Sequence, residues 1–349
     1  MNIRTLKAIW KANLPQWVWA CLPFWIGSLI FAHNGTAPHW GPLALFLVTV
    51  IAIQATAEFA NTYVDRYEDR IHVPSNPLVT GELAEVTARK ALILENVVAG
   101  LLLLAVLLVT LNYYLIIAIL AGWFTGLAYS VPPLKLKETI AGPFCFALST
   151  ALVPIAACLF VGPLNDFMIA FSVFLFLATF GANISTGQLR KTVEALNHSH
   201  IKIEEGNRYN LRTIGLRTRL KTAIALEAIA GLAAFILVAI FWHLGIFDRT
   251  LSSALLSLPL IFTVLTVAFR MKDPLRNAQR CVELAGLAAL SAMLSFFSVA
   301  LTSVLHWHWG YSVLACIVFL TGFGLLFKQI RPYGPVFRAQ QVYDQAQGN

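Results

Sequence analysis

Val97-Val-Ala-Gly-Leu-Leu-Leu-Leu-Ala-Val-Leu-Leu-Val-Thr110 is an unbroken run without a charged residue. It is too long and too uniform for a β-strand, and a helix built from it has no polar face to turn to water. A bilayer core takes about 20 apolar residues per helix, and the apolar stretch around this run extends over 89–111. Nine further stretches of the same kind lie near 14–33, 42–64, 113–131, 140–161, 165–188, 220–243, 252–270, 281–304 and 310–328. The composition agrees. Of 349 residues, 58% are hydrophobic and 12% are charged, whereas soluble domains are about a quarter charged. So few charges cannot cover a water-facing surface, which excludes an ordinary soluble enzyme, a disordered chain and a disulfide scaffold. The fold class read from the sequence is all-α: a polytopic transmembrane helical bundle of about nine to ten spans, with residues 1–349 as a single integral-membrane domain. No small-residue cleavage site follows the first apolar span, so that span is expected to be retained. The five cysteines, Cys21, Cys145, Cys158, Cys281 and Cys316, sit in apolar surroundings without C-x-x-C spacing and read as core residues.

The formal charge of +8 would suggest a nucleic-acid partner in a soluble protein. Here the cations follow topology instead. With the N-terminus placed inside, every Lys and Arg except Arg249 falls on an inner segment, the densest being Arg190 to Lys221. Positive residues favour the cytoplasmic side, so both termini and the larger loops are expected to be cytoplasmic, and no nucleic acid is expected.

Chemistry gathers at the inner end of the second span, Gln54-Ala-Thr-Ala-Glu58-Phe-Ala-Asn61-Thr-Tyr-Val-Asp65-Arg-Tyr-Glu68-Asp69-Arg70. Asn61, Asp65 and Asp69 are spaced i, i+4, i+8, which stacks them on one helical face. Like charges at that spacing repel, so the set asks for a cation, and its oxygen donors suit Mg²⁺ held together with substrate phosphates. For an acidic pair alone, a solvated helix end is an equally good explanation. Two further segments shift the balance. Pro74-Ser-Asn-Pro77-Leu78-Val-Thr80-Gly81 follows at once, and Tyr129-Ser130-Val-Pro132-Pro133-Leu134-Lys135-Leu136-Lys137 follows the fourth span. The prolines fix turns, and Tyr129, Lys135 and Lys137 form a candidate phosphate clamp on the side of the acids. Taken alone, the two lysines would be positive-inside anchors.

With these motifs in place the chain resembles the UbiA-type intramembrane prenyltransferases. Their N-x-x-x-D-x-x-x-D signature is met by Asn61, Asp65 and Asp69. Their D-R…P-x-R-P-L-x-S-G loop is met by Asp69-Arg70, Pro74, Pro77-Leu78, Thr80 and Gly81, with Asn76 where the family has arginine. Their Y-S-x-P-P-L-x-L-K turn is met by Tyr129 through Lys137. The likeness spans roughly residues 14–300. It implies a helical bundle, usually of nine spans, with Asn61, Asp65 and Asp69 as Mg²⁺ ligands. Catalysis would rest on these three and Lys137. Arg70, Tyr129 and Lys135 would bind a prenyl diphosphate, and 65–90, 132–139 and 189–221 would be the cytoplasmic active-site loops.

The second acidic motif of the family, D-x-x-x-D followed by x-x-x-G-x-R-T, departs here. Gly206-Asn207-Arg208-Tyr209 resembles its end, which makes Arg208 a substrate-binding candidate. The aspartate positions fall on His198 and Lys202, and one more step back reaches Glu194; an alternative alignment from Gln188-Leu-Arg190 puts Lys191 in an aspartate's place. Three readings stay open: glutamates such as Glu194 substitute, Lys202 replaces a second metal, or the catalytic role has changed. Deeper in the second span, Gln54 and Glu58 extend the acidic face toward an acceptor or carbocation pocket, since intramembrane acids are functional candidates. Glu95, Glu227 and Glu283, near span ends, read as interfacial. The resemblance implies prenyl transfer to a lipophilic, aromatic acceptor held among membrane lipid. A terpene cyclase of the same fold is the rival, and a transporter or inactive scaffold is a third class.

Overall fold

A computed structural model describes residues 2–33, 39–67, 69, 75–139, 141–198, 213–274 and 276–329. The helices are α1 (Ile3–Ala12), α2 (Pro15–His33), α3 (Trp40–Val64), α4 (Glu85–Thr110), α5 (Tyr113–Ser130), α6 (Ala141–Val161), α7 (Asp166–His198), α8 (Thr213–His243), α9 (Arg249–Leu255), α10 (Leu258–Lys272), α11 (Ala278–Val299) and α12 (Trp309–Gln329). The described residues are all-α, and ten spans among them are long and apolar enough to cross a membrane by length and composition. The bounds follow the sequence expectation closely. The α4 segment, Glu85–Thr110, contains the leucine-rich run and closes on Leu111 in a left-handed conformation. Asn112 then accepts a hydrogen bond from the Leu115 N–H and caps α5.

Two departures have local causes. The expected eighth span, 252–270, is two helices, because Pro259 stands one residue into α10. A proline there cannot donate to the Leu255 carbonyl and its ring clashes with that turn, so α9 stops at Leu255. The expected loop 189–221 is helical at both ends, with α7 continuing to His198 and α8 beginning at Thr213. At 33 residues, α7 is about 50 Å long and outreaches a bilayer core of about 30 Å.

The α3 helix packs against both α4 and α5, each helix from α5 to α8 packs against the next, and α2 closes the arrangement by touching α6, α11 and α12. The core is in two parts. Phe46, Val50, Leu103, Leu115 and Ala156 join α3, α4, α5 and α6. Phe24, Phe171, Phe174, Phe235 and Phe296 join α2, α7, α8 and α11. In the second part Phe171 and Phe296 stack with ring centroids 3.9 Å apart. The short α1 lies across the ends of α3 and α4, burying Ala8 and Ala12 against Phe59, Leu83 and Ala88. It leaves Ile3, Leu6 and Trp10 exposed. The α12 helix is the most peripheral, tied to α2 by the Trp19 indole N–H donating to the Phe319 carbonyl at 3.0 Å.

Glu227 on α8 departs from its interfacial expectation. It is 3% exposed and receives a hydrogen bond from Arg270 of α10, itself 1% exposed. A second arm of the same guanidinium donates to the Thr186 hydroxyl of α7 at 3.1 Å. Three helices are thereby fastened at one point. Arg270 is thus no solvated loop cation.

Removing one partner of a buried pair leaves an uncompensated charge, which costs about 3–5 kcal/mol. Glu227→Ala is therefore expected to lower stability by about that amount, read as denaturant or thermal unfolding in detergent. Replacing both members by apolar residues, Glu227→Leu with Arg270→Met, should recover most of the loss.

Candidate active site

The inner end of α3 carries Asn61, and the 3-10 turn Asp65–Tyr67 follows it directly. The opposing element is the turn after α5. Its chain passes Pro132-Pro133, reaches Lys135 at φ 38° in the left-handed region, and enters the short 3-10 turn Leu136–Glu138. That course points Lys137 across to α3. Its ammonium forms an ion pair with Asp65 and approaches Asn61 Oδ1 at 3.3 Å. Both members are well buried, with side-chain exposure of 10% for Lys137 and 5% for Asp65.

Ser130, the last residue of α5, completes the group by donating its hydroxyl to Asn61 Oδ1 at 2.8 Å. A lysine ammonium can only donate. Its contact therefore fixes which end of the Asn61 amide faces the site, and Ser130 holds the same end. Gly142, at the start of α6, makes room for this turn. A Cβ there would lie 2.7 Å from the Leu136 carbonyl oxygen and 2.9 Å from Lys137 Cα.

Asp69 is also buried, at 7% exposure. Asn76, in the place of the family arginine, donates from Nδ2 to Asp69 Oδ2 at 2.7 Å and to the Thr62 carbonyl at 3.2 Å. Asn76 Oδ1 accepts from the Leu78 N–H at 2.9 Å, and its carbonyl accepts from the Val79 and Thr80 N–H groups. The loop then turns at Gly81, whose φ of +78° favours a residue without Cβ, and seats Leu83 against α1. The departure from arginine thus substitutes a neutral latch, tying Asp69 to the loop, for a charge.

The structure therefore brings together Asn61, Asp65 and Lys137, and sets Asp69 in the adjoining loop. Lys135 lies on the same turn, half-buried, and Tyr129 is half-buried with its ring centroid 6.0 Å from that of Phe146. Gln54 and Glu58 are half-buried on α3, and Gln54 reaches the thiol of Cys21 on α2. Arg70, Lys202 and Arg208 lie outside the described residues, as does the side chain of Glu194, whose backbone is in α7. Two residues of the site were not assigned roles by sequence reasoning. Ser130 stood inside a quoted motif and had only its hydroxyl as signal. Asn76 was visible only as a departure.

The donors Asn61, Asp65 and Asp69 are all oxygens, the set that suits Mg²⁺. Among the described residues no three His, Cys, Asp or Glu side chains gather as a metal cluster. A cation already stands among those oxygens: the Lys137 ammonium touches both Asp65 and Asn61. The site fits a positive centre.

The sequence profile described as the UbiA prenyltransferase family matches residues 20–286, which leaves α12 outside the matched region. No curated protein sequence matches the chain. Among solved structures, one described for digeranylgeranylglyceryl phosphate synthase in membranes is similar at TM-score 0.58 and 19% identity, covering 86% of this chain and 100% of the other. A UbiA homologue from Archaeoglobus fulgidus bound to DMAPP and Mg²⁺ is similar at TM-score 0.56 and 21% identity, covering 85% and 98%. The same homologue bound to GPP and Mg²⁺ gives TM-score 0.54 and 22% identity over 85% and 98%. At these identities the likeness is one of fold.

Asn76→Ala removes the Leu78 N–H acceptor together with the Asp69 donor. Losing a buried hydrogen bond costs about 1–3 kcal/mol. Amide hydrogen exchange at Leu78, Val79 and Thr80 is expected to quicken by about tenfold or more, while exchange in α4 stays unchanged.

Proposed function

The chain belongs to the UbiA prenyltransferase family, and from that premise we propose that it transfers a prenyl group from an isoprenyl diphosphate to a lipophilic, aromatic acceptor within the membrane. The observation that carries this reading is the buried meeting of Asn61, Asp65 and Lys137 at the end of a membrane-spanning helix. An acid, an amide and a lysine gathered at the end of a membrane span are a candidate site for a polar ligand. The cation distribution supports a cytoplasmic position for this face, for both termini and for the loops 65–90, 132–139 and 189–221.

Asn61, Asp65 and Asp69 would hold Mg²⁺, which supplies the charge that neutralises a leaving diphosphate. Lys137 has two anionic partners within its reach in turn. Without substrate it neutralises Asp65. With substrate it moves its charge to a diphosphate oxygen, joined by Lys135, the Tyr129 hydroxyl, Arg70, Lys202 and Arg208. Ser130 keeps the Asn61 carbonyl aimed inward throughout. The allylic C–O bond breaks with its electron pair leaving on the diphosphate. The acceptor's ring carbon then bonds to the prenyl carbon and gives up its proton. Glu58, deeper on the α3 face and lining the acceptor or carbocation pocket, would take that proton, with Gln54 one turn away.

The altered second acidic motif favours one rival, cyclisation of the prenyl diphosphate without an acceptor. Purified protein given geranylgeranyl diphosphate and Mg²⁺ should release diphosphate only when a quinone precursor is added. A cyclic hydrocarbon or alcohol formed without acceptor would establish the cyclase instead. Asp65→Asn should lower diphosphate release by about 100-fold or more with the unfolding temperature retained, a loss of charge stabilisation of the kind worth about 3–4 kcal/mol. Lys137→Gln should bind Mn²⁺, followed by its electron paramagnetic resonance, more tightly than the parent in the absence of diphosphate, since the competing ammonium is gone, and yet turn over more slowly. Gly142→Ala should slow turnover by about 100-fold through the displaced Lys137 turn alone.

A further inference from the structure

An open groove lies against α3 at Ile51, Ala52, Ala55 and Thr56, deeper along the helix than Asp65. It holds about 580 Å³ between α2, α3 and α4, with α1 closing one end and Leu326 of α12 at its margin. This volume is in the usual range for a small-molecule site. Its walls are apolar, among them Val18, Leu22, Ala52, Ala55, Leu94 and Val98. Three polar side chains stand in that surface, Asn13, Glu95 and Thr56, and the Thr56 hydroxyl already donates to the Ile53 carbonyl at 2.8 Å. Asn13 Nδ2 donates to Glu95 Oε1 at 3.0 Å and to the Ile9 carbonyl at 3.1 Å. The remaining oxygens, Asn13 Oδ1 and Glu95 Oε2, are both buried and receive no hydrogen bond among the described residues. Glu85 bonds Tyr63 near the start of α4. Ten residues further on, Glu95 lies about 15 Å deeper along the helix, level with the middle of α3 rather than at its solvated end.

Buried acceptors without donors are costly. Both orphaned atoms here are acceptors, and one belongs to a carboxylate. They call for a ligand that brings hydrogen-bond donors and repel one that brings a phosphate. The apolar walls call for a long hydrocarbon body. A prenyl diphosphate meets the second demand and fails the first, so this cavity does not extend the diphosphate site.

We propose that the α2–α3–α4 groove is a binding site for a hydroxyl-headed lipid, a long-chain phenol or alcohol whose O–H donates to Glu95 Oε2. This rests on the transferase reading in one respect: such a lipid is the class of acceptor that reading requires. The two sites share α3. Ala52 and Ala55 face the groove, while Gln54, Glu58 and Asn61 belong to the catalytic face. The contact between Cys21 and Gln54 joins α2 to α3 on the catalytic side of that wall. A lipid held in the groove would therefore lie against the same helix that carries Gln54, Glu58 and Asn61.

The probe is a twelve-carbon alkylphenol carrying a diazirine in its chain, added to the full-length protein in detergent without metal or diphosphate. Photolabelling should map to peptides of α2, α3 and α4. It should be suppressed by plain dodecylphenol and left intact by dodecyl phosphate and by phenyldodecane. Glu95→Gln keeps the Asn13 hydrogen bond and puts an N–H where the ligand must donate, so labelling should fall about tenfold. Val98→Trp leaves Glu95 and Asn13 untouched and fills the groove, and it should reduce labelling equally if Glu95→Gln proves unstable. Undiminished labelling in both variants, equal competition by dodecyl phosphate, or stronger competition by dodecylamine than by the phenol would each overturn the assignment. Turnover is not read in this experiment, so its failure would leave the transferase reading standing, and failure of that reading would leave this one testable.

Discussion

In a hydrocarbon solvent a charge that cannot reach water has to meet its opposite inside the protein. The ion pair of Lys137 with Asp65 answers that demand at the end of α3, and nearly every feature of the site follows from it. Asp65 could not stay charged and buried beside Asp69 without a cation. The turn after α5 exists in its observed course because that cation has to arrive from another helix. Lys135 in the left-handed region, the tight passage past Gly142, and the Ser130 hydroxyl on Asn61 all serve to aim one side chain.

The same demand is met differently on the far side of the bundle. Arg270 and Glu227 are as deeply buried as Lys137 and Asp65, but Thr186 takes up a further donor of the guanidinium, and the group joins α7, α8 and α10. A planar guanidinium satisfied on several sides is a fastening. An ammonium between two acceptors is a movable charge, because its stem is flexible and its donors rotate. On the proposed function Asp65 exchanges Lys137 for another cation, whereas losing Arg270 would leave Glu227 unpaired and release Thr186 of α7 from α10. That difference separates a site from a strut where burial alone would not.

The spans were legible because a membrane helix needs an apolar run of fixed length, and length survives in a linear reading. The break before Pro259 was equally written in the sequence, but the apolar run passes through it and hid the two helices α9 and α10. Asn61, Asp65 and Asp69 were legible from a spacing that only a helix makes meaningful. The Lys137 contact was legible only as likeness to a motif, since no local rule brings residue 137 to residue 65. Glu227 and Arg270 looked like two span-end charges for the same reason. Their pairing depends on how α8 and α10 cross. Asn76 shows the opposite limit. It read as a lost arginine, whereas its amide replaces a long-range charge with short hydrogen bonds to Asp69, Thr62 and Leu78.

That replacement bears on how the site is divided between its two halves. An arginine in the loop would add positive charge beside the acids, whereas Asn76 adds none and holds one Asp69 oxygen in a neutral bond. The positive charge on the described half of the site then rests with the lysines of the α5–α6 turn. With the aspartate positions of the second motif falling on His198 and Lys202, the missing cationic character of one loop and the missing acidic character of the other change the balance in opposite directions. Asparagine in place of the arginine removes one positive charge, whereas His198 and Lys202 in place of two aspartates remove two negative charges and add one positive, so the total becomes more positive by two. On the proposed function, that gain falls on the second loop and adds to the positive frame around a leaving diphosphate, in place of charge that a second metal would bring.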